Sequence, residues 1–148
     1  MKSKPVGRPS RVGQIFFAGC CSLLVSACTS LGPDRHAGPC NKGVCKAIVT
    51  VQSCELGKLK VVPDPIPVDA PNNIQWTIET PGYVFTTDGI VIRGCGFKDN
   101  PGVTGSGDKF IVHDDHTDKR SDIKYIVRVK RKSDGAPCEP FDPFINNN

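Results

Sequence analysis

The densest group of side chains able to bind a metal ion lies at residues 113–118. The segment is His113-Asp114-Asp115-His116-Thr117-Asp118, and it follows the apolar run Phe110-Ile111-Val112. Imidazoles and carboxylates are ligands that suit zinc or copper. His113, His116 and Asp115 are therefore candidate metal ligands. The alternative is a solvated turn between strands, because charged side chains in such turns point into water.

The remaining sequence contains no set of residues typical of an enzyme. It has no Gly-x-Ser-x-Gly nucleophile motif, and the glycine-rich residues 102–107 are not followed by a helical segment, so we expect a hairpin loop there. A blue-copper centre usually needs an axial methionine, and the only methionine is Met1. We expect no enzymatic activity and no bound cofactor.

The positive charge of the chain is concentrated near its N-terminus. The formal net charge is +4, but four of the 19 basic residues fall within the first 11 positions, in a stretch without acid. The rest of the chain has 15 basic and 15 acidic residues. Binding to nucleic acid phosphates needs a basic excess, so we expect no nucleic-acid partner.

The N-terminal segment has the pattern of a cleaved export signal. After the basic stretch, residues 15–25 form an apolar run that is too short to span a bilayer. The run ends in Leu24-Val25-Ser26-Ala27-Cys28. This sequence resembles the lipobox of small bacterial lipoproteins, in which the cysteine is lipidated and becomes the N-terminus. An ordinary signal peptide cut after Ala27, with Cys28 unmodified, is the alternative.

The lipobox resemblance implies a location and a first partner. Residues 1–27 would be the signal peptide, and Cys28 would hold the protein on membrane lipid. In lipoprotein sorting patterns an Asp after the lipidated cysteine favours the inner membrane, so Thr29 implies the outer membrane. The domain would then be tethered in the cell envelope and would face the periplasm.

The rest of the chain predicts a linker and one all-β domain. Residues 28–43 are rich in Gly, Pro and polar residues and indicate a flexible linker. Residues 44–148 show short alternating segments separated by turn residues, which favour an antiparallel Greek-key sandwich of about seven strands, immunoglobulin-like or cupredoxin-like. Strands are expected at residues 44–53, 59–62, 74–79, 83–85, 90–93, 109–113 and 123–130. Trp76 is expected at the centre of the core.

Four patterns in this domain resemble small lipoproteins and periplasmic proteins of undefined function that have such a fold. They are Ile-x-Trp at residues 74–76, Gly-Tyr-x-Phe at 82–85, a late Tyr-x-Val-x-Val strand at 125–129, and an Asp-Pro-x-Ile-Asn tail at 142–146. The resemblance implies the fold but no activity.

The cysteines predict disulfides in the exported domain. Cys20 and Cys21 would leave with the signal and Cys28 would carry lipid, so five remain. An oxidising compartment favours disulfides, but five cysteines cannot all pair within one chain. We expect Cys138 to pair with Cys45 or Cys54. Cys95 is the candidate free thiol, because its flanking glycines allow another backbone to approach.

Two function classes follow. The first is a non-enzymatic envelope lipoprotein whose domain binds an envelope protein or polymer, and the basic run at residues 130–132 suits an anionic polymer. The alternative is a zinc- or copper-binding accessory domain that uses His113, His116 and Asp115.

Overall fold

A computed structural model describes residues 40–147, and all of its regular secondary structure is β-strand. The expected signal peptide, the lipidation site Cys28 and residues 28–39 of the expected linker lie outside the described residues. No helix in the described part is long and apolar enough to cross a membrane. The strands found in residues 40–147 are β1 (Cys40–Asn41), β2 (Val44–Val51), β3 (Leu59–Val62), β4 (Ile66–Pro67), β5 (Asn72–Ile78), β6 (Tyr83–Ile92), β7 (Phe97–Val103), β8 (Lys109–Asp114), β9 (Ile123–Arg131) and β10 (Phe144–Asn146).

The strands form two sheets that pack as a β-sandwich, which confirms the predicted all-β class. The six-stranded sheet has the order β1-β2-β5-β8-β7, and β3 pairs with β2 on the same edge as β1. The four-stranded sheet has the order β4-β10-β9-β6. Seven of these strands contain four or more residues, which matches the expected number, and three shorter strands extend the sheets.

The expectation of purely antiparallel sheets was wrong. β2 and β5 pair in parallel, and so do β4 and β10. Parallel neighbours need a crossover between the sheets, and β3 and β4 lie in the chain between β2 and β5. Alternation along one strand indicates which face is buried but not the direction of its neighbour. The Greek-key connectivity and the choice between immunoglobulin-like and cupredoxin-like variants remain predictions.

The core lies between the two sheets and is made by the alternating inward positions. Trp76 of β5 is fully buried, as expected, and its ring centroid lies 5.4 Å from that of Tyr125 in β9. Phe85 of β6 packs edge-on against Phe110 of β8 with centroids 5.9 Å apart. Both aromatic pairs join one sheet to the other. Residues 40–147 thus contain their own hydrophobic core.

Strand boundaries differ from the sequence expectations at two places. β6 is one strand with a bulge between Phe85 and Ile90, where two strands, at residues 83–85 and 90–93, were expected. β7 occupies Phe97–Val103, where no strand was expected, and its end overlaps residues 102–107, which were expected to form a hairpin loop. Its Lys, Asp, Asn and Pro residues are poor strand formers, but β7 is an edge strand, where proline and charge are tolerated.

Two disulfides cross-link the domain. Cys54 bonds to Cys138, which confirms one of the two predicted pairings, and Cys45 bonds to Cys40 instead of Cys138. The Cys40–Cys45 bond closes the β1–β2 hairpin. This hairpin begins at Cys40, within residues 28–43, which were expected to be a linker. Among the described cysteines, Cys95 alone is free, as predicted, and it is exposed.

Candidate functional site

The three predicted metal ligands do not converge. The Nδ1 atom of His113, on the outer face of β8, lies 3.1 Å from Oδ1 of Asn73. His116 is buried, and its Nε2 atom lies 3.3 Å from the carbonyl oxygen of Val68. Asp115 accepts hydrogen bonds from the backbone N–H of Thr117 at 3.1 Å and from its hydroxyl at 2.7 Å. Within residues 40–147, no group of three or more His, Cys, Asp or Glu side chains is placed to hold a metal ion.

Asp114, between these residues, is the buried acid of the segment. It takes the inward position at the end of β8, and it is fully buried. Its Oδ1 atom accepts a hydrogen bond of 2.8 Å from the backbone N–H of His116 and one of 3.5 Å from the side-chain amide of Asn147. Its Oδ2 atom has no hydrogen-bond partner. Burial raises the pKa of Asp114.

This buried polar cluster ties the C-terminal segment to the β8–β9 loop. The side-chain amide of Asn147 also donates to the carbonyl oxygen of Asp118 at 2.7 Å. The backbone N–H of Asn147 donates to the carbonyl oxygen of Arg120 at 3.0 Å. A raised carboxyl pKa in an open cleft would suggest catalysis. Asp114 is closed to solvent, so no substrate reaches it, and its contacts indicate a structural role.

The free thiol of Cys95 lies in the short connection between β6 and β7. The Cys95 backbone N–H donates to Oδ2 of Asp118 at 3.2 Å, and the Arg120 guanidinium contacts the same oxygen at 2.7 Å. Hydrogen bonding from Arg120 lowers the pKa of Asp118 to about 2. The thiol therefore lies on a loop that hydrogen bonds hold to the β8–β9 loop, where Asp118 and Arg120 form an ion pair.

The glycines beside Cys95 allow this close packing, as predicted. Gly96 has a φ of +80°, and its carbonyl oxygen accepts a hydrogen bond of 3.0 Å from the backbone N–H of Asp115. A Cβ atom at Gly96 would collide with the Asp115 and Thr117 side chains. Glycine is therefore needed both for the backbone conformation and for the space.

A small cavity opens between the edge strands β6 and β7. Its volume is about 100 Å³. Clefts that bind metabolite-sized ligands enclose several hundred Å³, so this cavity is too small for such a ligand. It is lined by Ile90, Ile92, Gly94, Phe97, Asp99 and Val112.

The outer face of the six-stranded sheet is a basic surface of the described domain. The outward positions of its strands carry four exposed lysines and no carboxylate. We call this surface the lysine face. Its four lysines are Lys46, Lys60, Lys98 and Lys109.

The strand register places neutral and aliphatic residues between these lysines. Val62, Ile48, Thr77 and Lys109 form one row across β3, β2, β5 and β8. Neighbouring strands are about 4.8 Å apart, and residues two apart on a strand are separated by about 7 Å. The next row places Lys46, Gln75 and Ile111 side by side. Val62 is 52% exposed, although it is aliphatic.

Two ion pairs lie on the opposite surface of the sandwich. On the four-stranded sheet, Lys124 pairs with Asp142 at 2.9 Å, and Arg128 pairs with Asp88. None of the salt bridges found in residues 40–147 includes a lysine of the lysine face. Carboxylates adjoin that face at its rim, where Asp108 is close to Lys109, Asp115 is close to Lys98, and the exposed Glu79 follows the end of β5.

Sequence reasoning did not identify the lysine face or the burial of Asp114. The burial of Asp114 and the outward direction of Lys109 could have been found from alternation along β8, because Asp114 takes an inward position and Lys109 an outward one. The lysine face also depends on the pairing of five strands that are distant in sequence, and alternation does not give that pairing.

No known protein-family model matches the sequence, and no curated protein is significantly similar to it.

Proposed function

We propose that the protein is an envelope lipoprotein, anchored through Cys28, whose β-sandwich acts as a non-enzymatic binding or structural module. The observation that carries the proposal is the combination of a lipobox at Leu24–Cys28 with a following domain cross-linked by two disulfides. Disulfides persist in oxidising compartments and are rare in the cytosol. The cross-links therefore support export, which the N-terminal segment predicts independently.

Binding, and not catalysis, is the activity that the surface of the domain favours. The buried acid, Asp114, is closed to solvent, and the cavity beside β7 is small. The lysine face, in contrast, presents unpaired charge and aliphatic side chains on one broad surface. A surface of this kind suits contact with a large partner.

The lipidation step can be tested on the protein isolated from bacterial membranes. We expect the N-terminal peptide to begin at Cys28 and to carry the mass of the acyl groups. Cys28→Ser should abolish the lipid and move the protein out of the membrane fraction. Cys95→Ser is the matched control, because it also removes one cysteine of the chain and should leave the lipid in place. An N-terminal peptide that begins at Cys28 without added mass would contradict the anchor.

The outer-membrane location has its own test. Thr29→Asp should move the lipoprotein from the outer-membrane to the inner-membrane fraction on a density gradient, because an acid at this position favours retention. Thr29→Ser should leave it in the outer membrane. If the unchanged chain fractionates with the inner membrane, the proposed location is wrong even though the anchor stands.

The binding role can be tested by crosslinking in living cells. A photo-crosslinker placed at Gln75, in the middle of the lysine face, should capture an envelope component reproducibly. The same crosslinker at Asp134, in an exposed turn on the other side of the sandwich, should not capture it. Equal capture at both positions, or no capture at either, would count against a dedicated binding surface.

A further inference from the structure

The lysine face has the properties of a surface that docks against an anionic plane. Its four lysines come from four strands, and all four project from the same side of one sheet. The overall charge of the exported chain is balanced. The four lysines on one face therefore mean that positive charge is distributed unevenly over its surface. On the other sheet, Lys124 and Arg128 have carboxylate partners, and Lys130 at the end of β9 has none among the described ion pairs.

The side chains between the lysines indicate what kind of anionic partner fits. Ile48, Ile111 and Val62 are aliphatic, and the outward strand positions of the face include no Phe, Tyr or Trp on which a sugar ring could stack. Lysine stems and aliphatic side chains can enter the interfacial region of a bilayer while the ammonium groups contact phosphates. This chemistry matches anionic phospholipid headgroups.

The attachment point of the chain brings the lysine face near a membrane. Cys40 belongs to β1, which pairs with β2 at the edge of the six-stranded sheet. The 12 positions from Cys28 to Cys40 can span at most about 40 Å, even when fully extended. A domain held within this distance of a bilayer meets its surface continually.

We propose that the lysine face docks on the anionic phospholipid surface of the membrane that holds the lipid anchor. This inference rests on the proposed anchoring at Cys28 for its location, but docking itself is a property of the sandwich. Each lysine near an anionic bilayer strengthens binding by about fivefold. Four lysines give weak binding from solution, and tethering makes it effective by raising the local concentration.

The test uses residues 28–148 with Cys28→Ser, so that no lipid or signal segment contributes to binding. This chain is sedimented with vesicles that contain equal parts of phosphatidylglycerol and phosphatidylcholine, at low ionic strength. We expect binding to these vesicles, none to pure phosphatidylcholine, and loss of binding as salt is raised to about 0.5 M, because salt screens exposed charges.

Two triple variants distinguish the lysine face from net charge. Lys46→Gln, Lys60→Gln and Lys109→Gln together should weaken vesicle binding by about a hundredfold. The control, Lys130→Gln, Arg131→Gln and Lys132→Gln, removes the same charge from an exposed run at the end of β9, in the other sheet, and should change binding by less than fivefold. Equal weakening by the two variants, or no binding by the parent chain, would overturn the proposal.

A fluorescent probe gives a second measurement that does not depend on affinity. In a Cys95→Ser background, an environment-sensitive dye on Val62→Cys should shift to the blue when anionic vesicles are added. The same dye on Leu56→Cys, which is 79% exposed in the β2–β3 turn, should not shift. Equal shifts at both positions would show that the lysine face is not the contact surface. Lipidation could still be confirmed in that case, so the two proposals fail separately.

Discussion

The indole N–H of Trp76 donates a hydrogen bond of 3.2 Å to the hydroxyl oxygen of Tyr125, and the bond joins the two sheets inside the core. Trp76 lies in β5 and Tyr125 in β9, 49 positions apart. Both side chains are fully buried. An indole N–H in such a place needs an acceptor, because water cannot reach it.

Tyr125→Phe should therefore destabilise the domain by about 1–3 kcal/mol, the cost of leaving a buried donor without a partner. Urea unfolding at neutral pH measures the change. Tyr83→Phe is the matched control, because Tyr83 is only half-buried and lies at the start of β6. We expect Tyr83→Phe to change the free energy of unfolding by about 0.5 kcal/mol or less, which is typical of a surface substitution. Equal losses would mean that the hydrogen bond has no special role.

The two disulfides should contribute unequally to stability. Cys54–Cys138 closes a loop of sequence separation 84, whereas Cys40–Cys45 closes one of 5. Loop-closure entropy predicts about 4.5 kcal/mol for the first bond and about 2 kcal/mol for the second. Cys54→Ala with Cys138→Ala should thus lower the urea midpoint more than Cys40→Ala with Cys45→Ala. The reverse order would show that native-state strain, not loop length, decides the contributions.

Asp114 should make stability depend on pH in a specific direction. Burial raises its pKa in the folded state above the ordinary value of 3.8. Below pH 3.8 the carboxyl is neutral in both states, and as pH rises through the folded pKa the folded state must hold a buried anion. Relative to Asp114→Asn, the unchanged protein should lose stability from pH 3 to pH 7, by about 1.4 kcal/mol for each unit by which the two pKa values differ.

Asp115→Asn is the control for this prediction, with the opposite sign. Hydrogen bonds from Thr117 lower the pKa of Asp115, so its ionised form stabilises the folded state above pH 3.8. The unchanged protein should gain stability relative to Asp115→Asn as pH rises. Urea unfolding at pH 3, 5 and 7 measures both differences. Parallel pH curves for the two variants would contradict the assignment of Asp114 as the buried acid.

Cys95 should be the one cysteine of residues 40–147 that reacts with a maleimide before reduction, because it is exposed and unpaired. Peptide mapping of the native protein should place the label on Cys95, and the other four should react only after reduction and unfolding. Cys95→Ser should remove this native labelling. Label found at Cys54 or Cys138 without reduction would contradict the disulfide assignment.

The sequence predicted those elements whose burial alternates along one segment. The burial of Trp76 and the strand at residues 123–130 were predicted correctly because side chains of a strand with one buried face alternate with period two. The sequence did not predict β7, whose exposed run of Lys98, Asp99, Asn100 and Pro101 has no such alternation. An edge strand with exposed side chains leaves little hydrophobic signal.

The candidate site was harder to predict than the fold, because it depends on contacts between distant segments. His113 and His116 are three positions apart, but one faces outward and the other is buried against Val68. The positive φ of 58° at His116 turns the chain at this point. Spacing alone placed both imidazoles in one ligand set, and the register of the end of β8 separates them.

The Cys40–Cys45 bond determines how the domain meets a mechanical load. A pull applied through the preceding residues reaches the domain at Cys40, and the disulfide passes it directly to β2. β2 is bonded along one edge to β5 and along the other to β1 and β3, so it cannot be peeled from the sheet one residue at a time. Force must shear whole strand pairs at once. A domain held through the proposed anchor at Cys28 therefore resists unfolding when it is pulled from its N-terminal side.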